Sequence, residues 1–225
     1  MTRTTLGSAL LIFLLLSVGC IVSDRMTTLT VNPDGSAELV SFRSNVRSTL
    51  KGDRADKELA EYRKRFDTQG DADMARIRDV GGEILKTVWV RDDVPYSNVM
   101  HARFSDASQL EKYCSTVKQG APAQITTQFR SDGLHRSLVF QVTLSSDALK
   151  SSLSTPSSLE ESRKQLANGI SEYRIAVVNG SITAARGFTV ATDKQSALLN
   201  LSEILELLND GQGQARFSIE WEVAK

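Results

Sequence analysis

Thr27-Thr28-Leu29-Thr30-Val31-Asn32-Pro33-Asp34-Gly35-Ser36-Ala37-Glu38-Leu39-Val40-Ser41-Phe42-Arg43 is the stretch on which the fold class turns. Thr27 to Asn32 and Ser36 to Arg43 read as two strands around a Pro-Asp-Gly turn. Proline presets φ and glycine accepts positive φ, so the chain is directed back on itself. Asp53 to Asp67 then reads as an amphipathic helix. Ala55, Leu59, Tyr62 and Phe66 lie on one face, with Arg54, Lys57, Glu58, Glu61, Lys64 and Arg65 elsewhere. A second helix, Asp71 to Val80, stops at Gly81-Gly82.

The same sequence of elements recurs down the chain. Glu83 to Arg91 and Tyr96 to Phe104 read as strands, followed by a helix from Asp106 to Val117. Gln124 to Arg130 and Arg136 to Ser145 form the next pair, and Leu138, Phe140, Val142 and Leu144 alternate as in a half-buried strand. The serine-rich stretch 147–158 reads as a loop or a subdivision of the domain, with a short helix at Leu159 to Asn168. Glu172 to Val178 and Ile182 to Ala191 read as a hairpin on Asn179-Gly180. Thr192-Asp193-Lys194-Gln195 has capping-box spacing and opens a predicted helix with Leu198, Leu201, Leu205 and Leu208 on one face. The last strand puts Ala215, Phe217, Ile219, Trp221 and Val223 inward. The order ββαα-ββα-ββ(α)-ββα-β predicts an α+β fold of antiparallel hairpins with helices on one face.

Composition narrows the function classes. The chain has 225 residues, with 27 basic and 27 acidic side chains. It lacks the basic excess of a nucleic-acid binder, so no nucleic-acid partner is expected. About two hundred residues suffice for one core.

The N-terminus is of a different character. Arg3 is the only charged side chain before an apolar run, Leu6 to Leu16, and small residues follow up to Gly19. A positive start, a short apolar stretch and a small-residue cleavage zone make a secretory signal. Leu16-Ser17-Val18-Gly19-Cys20 resembles the lipobox of bacterial lipoprotein precursors, although the commonest pattern has leucine where Ser17 stands. The resemblance implies residues 1–19 as a signal peptide, Cys20 as the lipidation site, 20–26 as a tether and 27–225 as an envelope domain. It further implies a diacylglyceryl group on the Cys20 sulfur and an acyl chain on the new amino group. With Ile21 rather than aspartate after the cysteine, it implies the outer membrane in a Gram-negative cell. Two other readings stay open. The uncharged run Thr4 to Ser23 is long enough to span a bilayer uncleaved, or a plain signal is cut elsewhere and Cys20 is left free.

Few residues carry a chemical signal. With Cys20 lipidated, Cys114 has no intramolecular partner, and Ala107, Leu110, Cys114 and Val117 share a helix face; a buried thiol is expected. His101 and His135 are the two histidines and fit no ligand spacing, so no metal or cofactor is expected. Asp71-Ala72-Asp73 hints at calcium but lacks a binding loop's pattern and distal glutamate; acids at helix N-termini account for it and for Asp53 and Asp56. No nucleophile elbow or phosphate loop occurs. Trp221 matches the core face. Trp89 shares a face with Leu85, Thr87 and Arg91, opposite Ile84, Val88 and Val90, and is a candidate either for packing or for the wall of a ligand groove.

The expected function is therefore a lipid-anchored, non-enzymatic envelope protein, attached to a membrane through Cys20 and binding a protein, lipid or glycan. An envelope hydrolase with scattered site residues and a lipid carrier are the alternatives.

Overall fold

β1 (Ile21–Val31) and β2 (Ala37–Ser48) form the expected hairpin, in a computed structural model that describes residues 21–115, 123–145, 171–210 and 213–224. The Asn32 and Gly35 amides bond across the turn to the Ser36 and Asn32 carbonyls, and Asp34 Oδ1 accepts from the Ser36 amide at 2.9 Å. Both strands are longer than their sequence signal. Residues 21–26, expected as a tether, are the first half of β1, with Ile21 opposite Ser48 and Val22 opposite Arg47.

The helices α1 (Asp53–Gln69) and α2 (Ala72–Asp79) follow, then the strands β3 (Glu83–Arg91) and β4 (Tyr96–Phe104). Next come the helix α3 (Ala107–Cys114) and the hairpin of β5 (Ala123–Asp132) and β6 (His135–Leu144). The remaining elements are β7 (Ser171–Val177), β8 (Gly180–Arg186), β9 (Phe188–Val190), β10 (Ser196–Leu199), α4 (Leu201–Asp210) and β11 (Gln214–Val223). The expected loop at 147–158 and helix at 159–168 lie outside the described residues. The fold is α+β, in two sheets: seven strands in the order β3-β4-β2-β1-β7-β10-β9, and four in the order β5-β6-β11-β8.

Three expectations from the second half of the chain need correction. Asn179-Gly180 does not close a hairpin. β7 runs parallel to β1, with Leu29 opposite Ile175, while β8 pairs with β11 in the other sheet. The turn residues are right, with Asn179 at φ 49°, but the two arms part. Gly180 must be side-chain-free here, because a Cβ would stand 2.7 Å from Trp221 Cδ1. The predicted strand 182–191 is broken at Gly187, whose φ of +76° carries the chain from one sheet to the other and whose Cβ would meet Phe217 at 2.7 Å. The predicted helix start at Thr192 is instead the turn between β9 and β10. Asp193 Oδ1 accepts from the Gln195 amide at 2.9 Å, Lys194 takes φ 56°, and Ala197 pairs with both Ile175 and Val190. The same short polar side chains serve helix caps and turns, so spacing alone does not separate them. The helix begins later, where Asn200 Oδ1 accepts from the Glu203 amide.

The crossings at 179–180 and 187 tie the sheets into one core. Leu29, Leu39, Ile175 and Phe104 from the large sheet join Leu138, Phe140, Phe217 and Trp221 from the small one. As expected, Ala215, Phe217, Ile219 and Trp221 are buried, and Val223 is half-buried. Phe140 and Phe217 stack directly opposite one another, with ring centroids 5.1 Å apart. α3 lies against the edge strand β5. Glu111 and Ser115 accept from the Phe129 and Thr127 amides at 2.7 and 2.9 Å, giving partners to donors that a sheet edge would leave open.

Candidate functional site

The inner face of the large sheet, under α1 and α2, carries the densest polar chemistry among the described residues. β1 and β2 place Arg25, Thr27, Leu29 and Val31 beside Ala37, Leu39, Ser41 and Arg43 on this face. The apolar pairs Leu29–Leu39 and Val31–Ala37 are fully buried and fix the register. Arg25 and Arg43 are carried in with them. Both meet acids from the start of α2. Asp73 pairs with Arg25 and, at 2.7 Å, with Arg43; Asp71 is 2.7 Å from Arg43. Asp71 is also the N-cap of α2, accepting from the Met74 amide at 2.9 Å. Both acids sit at the helix N-terminus as expected, Asp71 as its cap and Asp73 in its first turn, and they also neutralise two arginines.

Burial disfavours the charged form of Asp73, yet Arg25 and Arg43 overcome that penalty and hold its carboxyl below the ordinary carboxylate value. Burial likewise works against the Arg43 charge, and Asp71 and Asp73 outweigh it, keeping the guanidinium protonated. Four groups thus satisfy one another. An acid held ionised between two arginines, as Asp73 is, is a poor proton donor and a poor base, so the arrangement holds structure more readily than it does acid–base chemistry.

Beside this network lies Cys114, fully buried as expected of its helix face; Leu110 shares that burial, Ala107 is half-buried, and Val117 lies outside the described residues. Burial pushes its thiol up to about 12, with the Tyr173 hydroxyl hydrogen-bonded to it. A thiol so held is protonated at neutral pH and is not a nucleophile. Tyr113, packed on Phe104 with centroids 4.8 Å apart and under the Arg76 guanidinium at 5.2 Å, completes the corner.

Trp89 stands at the far edge of the same face. Its indole lies between Phe66, 4.8 Å away, and Tyr96, 5.5 Å away, with Tyr62 edge-on at 6.4 Å. Nε1 donates to Asp67 Oδ1 at 2.7 Å, and the Arg63 guanidinium sits 5.7 Å over the ring. The indole is half-buried, clamping α1 to β3 and β4. The other residues singled out by sequence are dispersed. His101 is on the outer face of the large sheet, 3.0 Å from Glu38. His135 is exposed at the β5–β6 turn, 3.4 Å from Glu222. Among the described residues no three His, Cys, Asp or Glu side chains converge as a metal site would require. Cys20 lies outside the described residues, immediately before β1. No helix among the described residues is long and apolar enough to cross a membrane.

What sequence reasoning missed is the partnership of Arg25 and Arg43 with Asp71 and Asp73. The signal was present: each arginine shares strand parity with core leucines, Arg25 with Leu29 and Arg43 with Leu39. A charge in phase with a buried stripe requires a buried countercharge.

No protein-family model matches the chain, and no curated protein matches it in sequence. Among solved structures, the folded domain of LppM from Mycobacterium tuberculosis, determined by NMR, aligns over 93% of this chain and 95% of its own, with a TM-score of 0.40 and 13% identity. The Fcho1 Mu homology domain of Danio rerio, with a bound Eps15 peptide, aligns over 92% and 81%, with a TM-score of 0.20 and 7% identity. Scores this low do not establish a common fold.

Proposed function

We propose that this chain is a lipid-anchored cell-envelope protein whose α+β domain, held on a membrane through Cys20, acts by binding rather than by catalysis. The observation that carries the reading is the sequence Leu16-Ser17-Val18-Gly19-Cys20, a small residue and a cysteine closing a short apolar run. Its resemblance to a lipobox assigns residues 1–19 to a cleaved signal, and Ile21 after the cysteine favours the outer membrane in a Gram-negative cell. The partner is an envelope protein, a lipid or a glycan. Saturation of the interior charges by one another, and the protonated, enclosed Cys114, favour a scaffold over a reaction centre.

Intact mass spectrometry of the membrane-extracted protein tests this reading. The expected result is loss of the first nineteen residues and a lipid-sized gain in mass, both absent from a Cys20→Ala variant, which should leave the membrane fraction. An unmodified full-length chain would overturn it and leave the uncleaved apolar run before β1 as the membrane attachment.

A further inference from the structure

The outer face of the large sheet reverses the expected placement of side chains close to where the anchor attaches. At four consecutive positions across the sheet the polar or interior residue points inward and its chain neighbour, an apolar one, points out: Arg25 and Met26, Arg43 and Phe42, Asn98 and Val99, Trp89 and Val88. Met26 is opposite Phe42, Phe42 opposite Val99, and Val99 opposite Val88, so these four make one unbroken row over β1, β2, β4 and β3. Four adjacent strands give the row a length of about 14 Å. Met26 is 47% exposed and Val88 38%, and Val40 beside the row is 40% exposed. Strand propensity accounts for the valines but not for an exposed methionine. Among the described residues α1 and α2 pack on the opposite, inner face, through Tyr62, Phe66 and the Asp71–Asp73 cluster.

The chain itself indicates what covers the row. β1 begins at Ile21, the residue after Cys20, and is already paired with β2 there. No slack separates the anchor from the sheet. Met26 is six residues beyond Cys20, about 20 Å along an extended strand. A lipid on Cys20 therefore holds this row within one strand-length of the headgroups, and Val22 and Leu50, 37% and 39% exposed, lie at the same end. Charges flanking the row balance in sign: Glu38 faces Arg103 at 3.6 Å, Glu172 faces Arg174 at 3.1 Å, and Asp24 and Lys86, two residues before Met26 and Val88, are one of each sign. Such a face needs no anionic lipid.

We infer that the outer face of the β1–β2–β4–β3 quartet lies on the bilayer, with Met26, Phe42, Val99 and Val88 at the headgroup–acyl boundary, as a second membrane contact beside the Cys20 lipid. The inference rests on Cys20 being the anchor. Weak apolar contacts become effective once a first anchor has concentrated them at the surface.

The test uses the full lipidated protein in phosphatidylcholine vesicles, with Met26→Cys or Val88→Cys carrying an environment-sensitive fluorophore. Arg216→Cys, exposed on the small sheet, is the control, and buried Cys114 does not compete for label. Labels at 26 and 88 should be blue-shifted and quenched at least about twofold by doxyl lipids, unchanged in about 0.5 M salt, and the label at 216 should not respond. Intact mass of the same samples reports the anchor separately. A lipidated protein whose labels at 26 and 88 behave as at 216 overturns the inference and leaves the anchor standing. Labels shielded from water but not quenched by doxyl lipid identify a second copy or another protein on this face and also overturn it. An unlipidated Cys20 removes the anchor and the inference together.

Discussion

The two faces of the large sheet, one residue apart along each strand, are governed by different physics. On the inner face Arg25 and Arg43 are almost enclosed, 14% and 15% exposed in their side chains, because Asp71 and Asp73 neutralise them. On the outer face Met26, Val40 and Val88 stand in the open beside surface ion pairs. Removing one partner from the first arrangement leaves a charge out of water; removing a side chain from the second changes little in the isolated fold. The faces thus separate what holds the domain together from what it presents outward.

The largest effect should come from Arg43→Met. It takes from Asp71 its arginine and leaves Asp73 with Arg25 and the less direct Arg76, and should cost about 3–5 kcal/mol in urea unfolding. A loss below about 1 kcal/mol would show that water reaches the cluster and the two faces differ less than their burial indicates. Asp73→Asn should cost about 2–3 kcal/mol at neutral pH. Because the folded Asp73 carboxyl titrates below its ordinary value of 3.8, its stabilisation is present above that value and is lost as pH falls through the lower, folded one. The gap between wild type and Asp73→Asn, followed by urea unfolding at several pH values, should therefore be constant near neutrality and narrow below about pH 4. Trp89→Leu should cost about 1–2 kcal/mol, for the Asp67 hydrogen bond and the ring contacts with Phe66 and Tyr96. Thermal unfolding of the variant measures it. Met26→Ser and Val88→Ser should each change stability by less than about 0.5 kcal/mol. A loss above about 1 kcal/mol from either would mean the outer face is covered within the folded chain and would break the comparison at its other end.

The first half of the chain was largely legible. β3 and β4 fall at their predicted bounds, because Gly81-Gly82, Asp92-Asp93 and Pro95 punctuate them and few other structures suit such runs. β11 was legible for the same reason, its strict alternation matching a strand buried on one side. The stretch 179–199 was not. Asn179-Gly180 specifies a reversal but not the partner of the strand that leaves it, and β8 finds β11, far ahead in sequence. Thr192 to Gln195 satisfies a cap and a turn alike, and only pairing with β7 and β9 makes 196–199 a strand. The candidate site was legible in parts. Cys114 was placed correctly from its helix face, and Trp89 was left between packing and a groove because its neighbours on both faces are mixed. The ion-pair cluster joins Arg25 and Arg43 to acids 28 to 48 positions away; strand parity marks the arginines as inward, but nothing local names their partners.

The sequence by itself determined the first three hairpins, helices near 53–67, 71–80 and 106–117, the core face of β11 and the lipobox-like N-terminus, all of which depend on neighbours within a few residues. Only the tertiary structure decided that β1 pairs in parallel with β7, that β8 and β9 belong to different sheets, and that Asp71 and Asp73 are the acids that neutralise Arg25 and Arg43. The physical reason is that local sequence sets backbone conformation and side-chain alternation, whereas the sidedness of a sheet is set by what packs on it. Here α1 and α2 cover one face and bring the two carboxylates that make buried arginine tolerable.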